Sequence, residues 1–359
     1  MYRGLLRPVL FTLPPGAAHS FALAALGPVE HAAVVRTLVR ALAAPPHDPR
    51  IRVSLMGLEF PSPLGLAAGF DKNARRPRAM AALGFGHLEL GTVTARAQAA
   101  NPTPNLFRLP LDRALVNRLG FPNEGAEKVA ARLGRVRSAV AVPVGVSIGK
   151  SRDVPANDLK AVIADYAASL KWVSAVADFV VVNVSSPNTA GLRGLQAREH
   201  ALELLTTLRS SAPSVRILVK IAPDLDDGDL EDLLSVVEET RIAGVVAANT
   251  TVGRESLATE GRRIHAIGAG GLSGPPLRAR AVQLVQRARA RLGREIAIIG
   301  VGGIEHAEHV VALMRAGANL VQMYTGLIYE GPGAPGRIAR DLLRMVDRSG
   351  SRNLADFVR

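Results

Sequence analysis

The stretch Glu295-Ile-Ala-Ile-Ile-Gly-Val-Gly-Gly303 is a nearly continuous apolar run that ends in bare glycines just before a helical pattern. An apolar run without alternation is typical of a parallel strand that is covered on both faces. Seven similar runs alternate with helical patterns, at Pro63–Gly69, His87–Thr94, Val142–Ile148, Asp178–Ser185, Arg216–Ala222, Gly244–Thr250 and Leu320–Gly326. Eight strands that each precede a helix predict an α/β fold, a closed (β/α)8 TIM barrel, in preference to a doubly wound open sheet.

The segments around these strands carry helix and turn signals of their own. Ala156–Val176 is a helical pattern with Asn157 or Asp158 as its cap, and Asp226–Thr240 is a second one that opens with acidic residues. Arg50–Phe60, with Gly57 at its centre, predicts a hairpin that plugs the floor of the barrel.

The first 45 residues differ from the barrel domain, which we assign to residues 46–359. His19–Leu26 and Glu30–Leu42 predict a small helical extension, and the uncharged stretch between Pro8 and Val29 is interrupted by prolines. Those pieces are far shorter than the roughly 20 apolar residues of a membrane span. Two interpretations stay open: two helices packed on the barrel, or an amphipathic pair on an anionic bilayer whose headgroups meet Arg3, Arg7, Arg36 and Arg40.

The amino-acid composition excludes several classes of active site and partner. The 359 residues include no Cys, which excludes disulfides, thiolate metal sites, iron–sulfur clusters and a cysteine nucleophile. The net charge is +13, but the basic residues are scattered and lack interleaved aromatic residues, so a nucleic-acid partner is not expected. Anionic small molecules or an anionic membrane surface account for the charge better. We expect neither a metal nor an obligate protein partner.

Polar residues and glycines follow the C-terminal ends of the predicted strands. A barrel builds its active site on that rim, whereas the opposite rim serves stability. The rim residues are Lys72, Thr92, Thr94, Ser147, Asn183 to Asn188, Lys220, Asn249, Thr250, Gly302, Gly303, Tyr324 and Thr325.

Three sequence patterns on this rim indicate which kinds of ligand it could bind. Glycine-rich loops at Gly300–Gly303 and Gly270–Gly274 suit a phosphate, although each could be only a tight turn. The segment Asn183-Val-Ser-Ser-Pro-Asn-Thr189, together with Asn117 and Asn249, supplies amides for a small polar planar molecule, whereas any one Asn alone is more often a turn residue. Lys72 and Lys220 suit an anionic ligand such as a reduced flavin, or a structural salt bridge.

These motifs together resemble the dihydroorotate dehydrogenases, specifically their quinone-linked class 2 branch. They occur in family order, and the extension looks like the class 2 membrane segment. The motifs are Leu66-Ala-Ala-Gly-Phe-Asp-Lys72, Gly91-Thr-Val-Thr94, Asn117-Arg-Leu-Gly-Phe121, Asn183-Val-Ser-Ser-Pro-Asn188, Lys220-Ile-Ala-Pro-Asp224, Asn249-Thr-Thr251, Gly271-Leu-Ser-Gly274, Gly300-Val-Gly-Gly303 and Tyr324-Thr-Gly326.

The resemblance implies oxidation of dihydroorotate to orotate by FMN, with Ser186 as the catalytic base and a quinone as electron acceptor. A serine hydroxyl is a poor base and needs a proton relay, and our hypothesis for the relay is Thr189 or a water near Phe121. The implied FMN residues are Ala68, Gly69, Phe70, Asp71, Lys72, Thr92, Ser147, Asn183, Lys220, Ala248, Gly274, Gly303, Tyr324 and Thr325. The implied substrate residues are Lys72, Asn117, Arg118, Leu119, Gly120, Phe121, Asn183, Asn188, Asn249 and Thr250. Ser147 and Ala248 depart from the family's usual residues at their positions.

The resemblance further implies a quinone site at His19, Arg108 and Tyr324, and peripheral attachment to the cytoplasmic side of a bacterial cell membrane. Three other classes share some of these features. An FMN barrel acting on tRNA and a class 1 enzyme using fumarate or NAD both rely on a Cys that this chain lacks. A non-catalytic phosphate-binding barrel would need neither Ser186 nor the Asn cluster.

Overall fold

The computed structural model describes residues 2–45 and 47–359. Its β-strands are β1 Val53–Leu55, β2 Leu58–Phe60, β3 Leu64–Leu66, β4 His87–Val93, β5 Leu106–Leu109, β6 Ala114–Asn117, β7 Val144–Ile148, β8 Phe179–Asn183, β9 Ile217–Ile221, β10 Gly244–Ala247, β11 Gly271–Ser273, β12 Ala297–Val301 and β13 Leu320–Met323. Its α-helices are α1 Arg7–Thr12, α2 Pro15–Ala25, α3 Gly27–His31, α4 Ala33–Ala43, α5 Pro77–Ala82, α6 Ala126–Gly134, α7 Leu159–Val173, α8 Arg198–Ser211, α9 Asp227–Thr240, α10 Gly261–Ile267, α11 Arg278–Leu292, α12 Ala307–Arg315, α13 Thr325–Glu330, α14 Ala334–Ser349 and α15 Leu354–Val358.

Eight of these strands close into a barrel in the order β3-β4-β7-β8-β9-β10-β12-β13. Every neighbouring pair is parallel. Each barrel strand lies within one of the eight apolar runs, and nearly all of its residues are buried. Helices cover the outer face and side chains fill the interior, which is why these runs do not alternate between apolar and polar residues. The predicted barrel is confirmed.

A hairpin closes the barrel floor, as predicted. Strands β1 and β2 pair antiparallel through a two-residue turn in which Met56 and Gly57 both have positive φ. Phe60, at the end of β2, is fully buried in a cluster with Phe179 and Leu218 from the barrel interior. The floor is therefore packed, and open space is left at the opposite end.

Aspartate side chains cap two of the predicted helices, α7 and α9. Asp158, rather than Asn157, caps α7 by accepting a hydrogen bond from the Ala161 backbone N–H at 3.0 Å. Asp226 caps α9 in the same way, from Asp229 at 2.8 Å. Each carboxylate satisfies a backbone donor that the first turn of a helix leaves free.

One predicted glycine loop has a different structure. Within Gly270–Gly274, residues 271–273 form β11, which pairs antiparallel with β6 beside the barrel. A Cβ atom at Gly271 would lie 1.9 Å from Thr250 Oγ1, so glycine here permits close packing of β11 against the rim.

The N-terminal extension consists of more helices than the two predicted. Helix α1 precedes them, α2 begins at Pro15, and the second predicted helix is divided into α3 and α4 where Ala32 adopts an extended conformation. Glu30 fastens the extension to the barrel: its buried carboxylate accepts from Arg78 Nε and from the Ala79 backbone N–H, both at 2.9 Å.

Within residues 2–45 and 47–359, no single helix has both the length and the apolar character needed to cross a membrane. The segments Pro15–His31 and Ala33–Ala43 meet those criteria only as a pair, which is bent by 111°.

Candidate active site

A cavity of about 1010 Å³, including its open mouth, lies at the carboxyl ends of the barrel strands. Loops that are far apart in the sequence converge on it because all eight strands run in the same direction. The predicted site residues that line it are Ala68, Gly69, Lys72, Thr92, Asn117, Leu119, Gly120, Phe121, Asn183, Ser186, Asn188, Lys220, Ala248, Asn249, Thr250, Gly274, Gly303, Tyr324 and Thr325.

Asn183, the last residue of β8, is the centre of a buried hydrogen-bond network. Its Nδ2 donates to Thr92 Oγ1 at 3.1 Å, and its Oδ1 accepts from Asn249 Nδ2 and Ser185 Oγ, both at 3.2 Å. Asn249 Nδ2 also lies 2.9 Å from Ser185 Oγ. Because each group is held by its neighbours, the network presents fixed polar atoms to the cavity.

A second amide pair lies beside the predicted base. Asn188 Nδ2 donates to Asn117 Oδ1 at 3.0 Å, and Asn117 Nδ2 donates to the Gly271 carbonyl at 3.3 Å. The backbone N–H of Asn188 donates to Ser186 Oγ at 3.2 Å, and Ser186 is only 5% exposed. The hydroxyl and the amides therefore face the same small volume.

Arg193 holds the loop that carries Ser186, a role that no sequence pattern distinguishes among so many arginines. Its Nε donates to the Ser185 carbonyl and its Nη2 to the Thr250 carbonyl, each at 3.1 Å. Its Nη1 pairs with Asp224 at 2.8 Å. One guanidinium thus connects the loops after β8, β9 and β10.

Lys72 brings a positive charge to the cavity wall. Its Nζ donates to the Gly69 carbonyl at 2.5 Å. Burial lowers the pKa of Lys72 to about 8, and the neighbouring Asp71 carboxylate opposes part of that effect. The ammonium is therefore mostly charged at neutral pH and can bind an anion in the cavity.

Lys220 lies deeper, above a buried polar pair that the sequence analysis missed. Its Nζ is 3.3 Å from Glu89 Oε1, and Gln322 Nε2 donates to Glu89 Oε2 at 2.8 Å. Glu89 is an acidic residue inside the otherwise largely apolar strand β4, and a charged residue at such a position indicates a buried polar contact. Gln322 also lines the cavity.

The predicted phosphate loops lie at one side of the cavity. Gly274 and Gly303 have φ of 109° and 67°, in the left-handed region that favours glycine. Ser273 Oγ and Thr325 Oγ1 are 2.8 Å apart at the same edge. Arg278 Nε donates to the Gly303 carbonyl at 2.9 Å and so fixes this turn from behind.

A chain of ion pairs runs from this turn to the N-terminal extension. Arg278 pairs with Glu305 at 3.0 Å, and Arg113 bridges Glu305 at 2.7 Å and Glu330 at 2.5 Å. Glu330 also pairs with Arg3, which belongs to a π-helical turn at residues 2–6. Both carboxylates are buried, which is costly for a charged group. Each is paired with more than one guanidinium, and these pairs compensate for the cost.

Several predicted contact residues do not line the cavity. The Asp71 carboxylate accepts two backbone N–H groups of the segment that leads to α5, at 2.9 and 2.7 Å. Ser147 Oγ pairs with Thr92 Oγ1 at 2.9 Å. The Arg118 guanidinium donates to carbonyls before β11, at 2.6 and 3.1 Å. The Asp71 and Arg118 side chains satisfy backbone groups, and neither residue lines the cavity, so their predicted ligand contacts stay predictions.

A row of three aromatic rings in edge-to-face contact connects α2 to the cavity. Phe70, which is not itself in the lining, contacts His19 and Tyr324 edge-to-face, with ring centres 5.0 and 6.0 Å away. Burial lowers the pKa of His19 to about 4, with a further lowering by the Lys72 charge, so its imidazole is neutral at physiological pH. Two of the three predicted quinone-site residues thus lie at the ends of one aromatic path.

Arg108, the third predicted quinone-site residue, does not line the cavity and instead bonds to backbone carbonyls at the end of α1. Its guanidinium stacks over Phe11 at 4.5 Å from the ring centre and donates to the Leu13 carbonyl at 2.8 Å. It therefore fixes the junction between α1 and α2.

Ser273 and Val301 also line the cavity and lie within the predicted glycine loops. The other lining residues were given no role from the sequence, because most are apolar and give no chemical signal. They are Ala67, Pro122, Leu277, Ile304, Gln322 and Gly326. In the described part of the chain, no group of three or more His, Cys, Asp or Glu side chains has the arrangement of a metal site.

The fold and the cavity define a class: (β/α)8-barrel enzymes that hold a small polar ligand among amides at the carboxyl rim. Residues 50–346 match the family model for dihydroorotate dehydrogenase. The chain is 47% identical over 365 residues to "dihydroorotate dehydrogenase (quinone)" from Thermobifida fusca, covering 100% of this chain and 96% of the relative. It is also 49% identical over 359 residues to the protein of the same name from Rhodococcus opacus, covering 100% of this chain and 98% of the relative. The protein therefore belongs to the dihydroorotate dehydrogenase family.

Solved structures agree with the sequence relatives. The crystal structure of the Eimeria tenella enzyme in complex with ferulenol superposes with a TM-score of 0.83 at 34% identity, covering 98% of each chain. Its ligand-free form gives 0.81 at 36% identity, covering 90% of this chain and 98% of that one.

Proposed function

We propose that this protein oxidises dihydroorotate to orotate with bound FMN and passes the electrons to a quinone, in pyrimidine (UMP) biosynthesis. One observation carries the proposal: the Ser186 hydroxyl and four Asn amides line the same cavity as the glycine loops. Paired amides offer both donors and acceptors, which suits a ring with imide and carboxylate groups. The names of the relatives support this substrate and acceptor.

The cavity's chemistry fits FMN. Glycines at positive φ allow backbone to approach a phosphate, and the Gln322 Oε1 atom is buried without a hydrogen-bond partner in the described part of the chain. Phe70, Asp71 and Ser147 would act from behind the lining. The residues that would hold FMN directly are Ala68, Gly69, Lys72, Thr92, Asn183, Lys220, Ala248, Gly274, Gly303, Tyr324 and Thr325.

Ser186 would take the proton from C5 of dihydroorotate. When bound, FMN supplies the acceptor for the hydride that leaves C6. A serine hydroxyl is a weak base at neutral pH and must pass its own proton to a neighbour. Thr189 Oγ1 is buried and makes no hydrogen bond to the described residues, Ser186 included, so a relay through Thr189 would need a water between the two hydroxyls. The Asn188 N–H at 3.2 Å would stabilise negative charge on the Ser186 oxygen.

The test is anaerobic mixing of the purified protein with dihydroorotate, followed by an acceptor. We expect the visible flavin absorbance to bleach and then to return on addition of a quinone, but not of fumarate or NAD. Bleaching that only fumarate or NAD reverses would assign the class 1 reaction instead. A colourless protein that binds no FMN would exclude the flavin enzyme altogether.

The KM for dihydroorotate should rise with pH above about 8. The reason is that Lys72, whose pKa is lowered to about 8, is charged below that pH and neutral above it, and the substrate carboxylate binds the charged form. Steady-state kinetics between pH 6 and pH 10 measure the effect, with Lys72→Arg as the control that stays charged throughout. A KM that is constant across this range would contradict a role for Lys72 in carboxylate binding.

The extension at residues 2–45 would be the membrane and quinone-access segment. Most exposed large apolar side chains in the described part of the chain lie on it: Leu5, Leu6, Val9, Leu13, Phe21, Val34, Leu38 and Leu42. The four arginines proposed for headgroup binding instead contact groups within the protein. Apolar contact with the cytoplasmic face of the bacterial cell membrane would therefore dominate the attachment.

Arg108→Met should lower quinone reduction about tenfold and leave flavin reduction by dihydroorotate unchanged. The loss of its bonds to the α1–α2 junction, worth about 1.4 kcal/mol or more, would loosen the quinone entrance. Stopped-flow measurement of each half-reaction separates the two effects. Arg315→Met is the matched control, because Arg315 also stacks on a phenylalanine, Phe357, away from the cavity. Equal loss in both half-reactions would mean that Arg108 only supports folding.

A further inference from the structure

Glu89 ties three barrel strands together beneath the cavity. It lies in the middle of β4, is fully buried, and reaches across the barrel interior to β9 and β13. Lys220 Nζ on β9 lies 3.3 Å from one carboxylate oxygen, and Gln322 Nε2 on β13 donates to the other at 2.8 Å. The proposed function above uses Lys220 and the unpartnered Gln322 Oε1 atom but assigns no part to Glu89.

The carboxylate fixes the orientation of the Gln322 amide. A carboxylate can only accept hydrogen bonds, so the N–H groups of the Gln322 amide must face Glu89. Gln322 Oε1 is then directed elsewhere, and it is buried without a partner within residues 2–45 and 47–359. Because Gln322 lines the cavity, this oxygen is placed to accept a hydrogen bond from an N–H group of the cavity ligand.

Glu89 also changes the charge that the cavity experiences. A lone buried ammonium would place a full positive charge beneath the ligand, whereas Lys220 and Glu89 together form a pair with no net charge. Both side chains are shielded from water, so the change would act on the ligand with little screening.

We infer that Glu89 is a positioning residue that sets the reduction potential of the bound flavin through Lys220 and Gln322. The inference rests on the proposed function, because it takes the cavity ligand to be FMN. Reduction adds negative charge to the flavin ring, and a nearby cation stabilises the reduced form. By neutralising Lys220, Glu89 lowers the potential and keeps the reduced flavin a stronger donor to quinone. Gln322 Oε1 would accept a hydrogen bond from an N–H group of the flavin ring.

The test measures the midpoint potential of the FMN-loaded full chain by equilibration with redox dyes. Glu89→Gln should shift the equilibrium toward reduced flavin at least tenfold, which is about 30 mV for a two-electron couple. Lys220→Met should shift it in the opposite direction, and the double variant should lie between the two. Glu89→Asp keeps the charge and should stay close to the unmodified protein.

Glu30→Gln is the matched control, since Glu30 is also buried and paired with an arginine but lies on the N-terminal extension. An unchanged potential in Glu89→Gln overturns the inference, and so does an equal shift in Glu30→Gln. Should Glu89→Gln not fold, the double variant against Lys220→Met decides: equal potentials in those two overturn the inference. Absence of flavin in the unmodified protein would instead refute the proposed function.

Discussion

Replacing Ser186 with Ala should leave FMN bound and lower the rate of flavin reduction by dihydroorotate about 10²- to 10⁴-fold at neutral pH, the usual contribution of a general base. The substitution removes the hydroxyl beside the Asn117–Asn188 amide pair and leaves those amides in place. Substrate affinity should therefore change little, and the loss should fall on the chemical step. Single-turnover stopped-flow absorbance under anaerobic conditions measures it.

Two controls sharpen this result. Ser138→Ala removes an exposed hydroxyl far from the cavity lining and should have no effect. Ser186→Cys puts a more acidic group in the same place and should keep part of the activity, with a pH dependence of its own. Full activity in Ser186→Ala would remove Ser186 from the mechanism, whatever its position in the cavity.

Replacing Lys72 with Met should lower kcat/KM for dihydroorotate about 30- to 5000-fold. Loss of one partner from a buried charge pair costs about 2 to 5 kcal/mol, and Lys72 is the cation that we assign to the substrate carboxylate. The effect should appear mainly in KM, because the proposed base, Ser186, is untouched. FMN content, measured by absorbance after denaturation, shows whether cofactor binding is also lost.

Lys171→Met is the control for that variant, since Lys171 is exposed on α7 outside the cavity. A large loss of FMN in Lys72→Met, with normal KM in the flavin-loaded fraction, would assign Lys72 to the cofactor alone. A normal kcat/KM would show that the substrate carboxylate binds elsewhere.

The barrel and most of the cavity lining could be predicted from sequence because two independent patterns agree there. Buried parallel strands give unbroken apolar runs, and a parallel barrel brings the residue after each run to the same rim. Asn183, Lys220 and Asn249 are found in this way. Each stands where an apolar run ends, and the structure has each of them in the cavity lining.

The remaining features depend on contacts that one-dimensional patterns do not contain. Arg118 matches a family motif, but its side chain bonds to loop carbonyls, and nothing in the sequence states the direction of a side chain. Glu89 and Gln322 acquire a role only by meeting across the barrel. Likewise, the break at Ala32 between α3 and α4 has no glycine or proline at that position to announce it.

The chain of ion pairs from Arg278 to Arg3 connects the predicted phosphate turn with the N-terminal extension through two buried carboxylates, Glu305 and Glu330, which Arg113 bridges. Loss of one guanidinium partner of Glu330 would change the strength of its ion pairs with the remaining ones. Energetic coupling of this kind is reciprocal, so an anchored amino terminus and a firmly retained flavin would each favour the other. With the membrane attachment proposed above for the extension, the enzyme would be most completely assembled when it lies on a lipid surface.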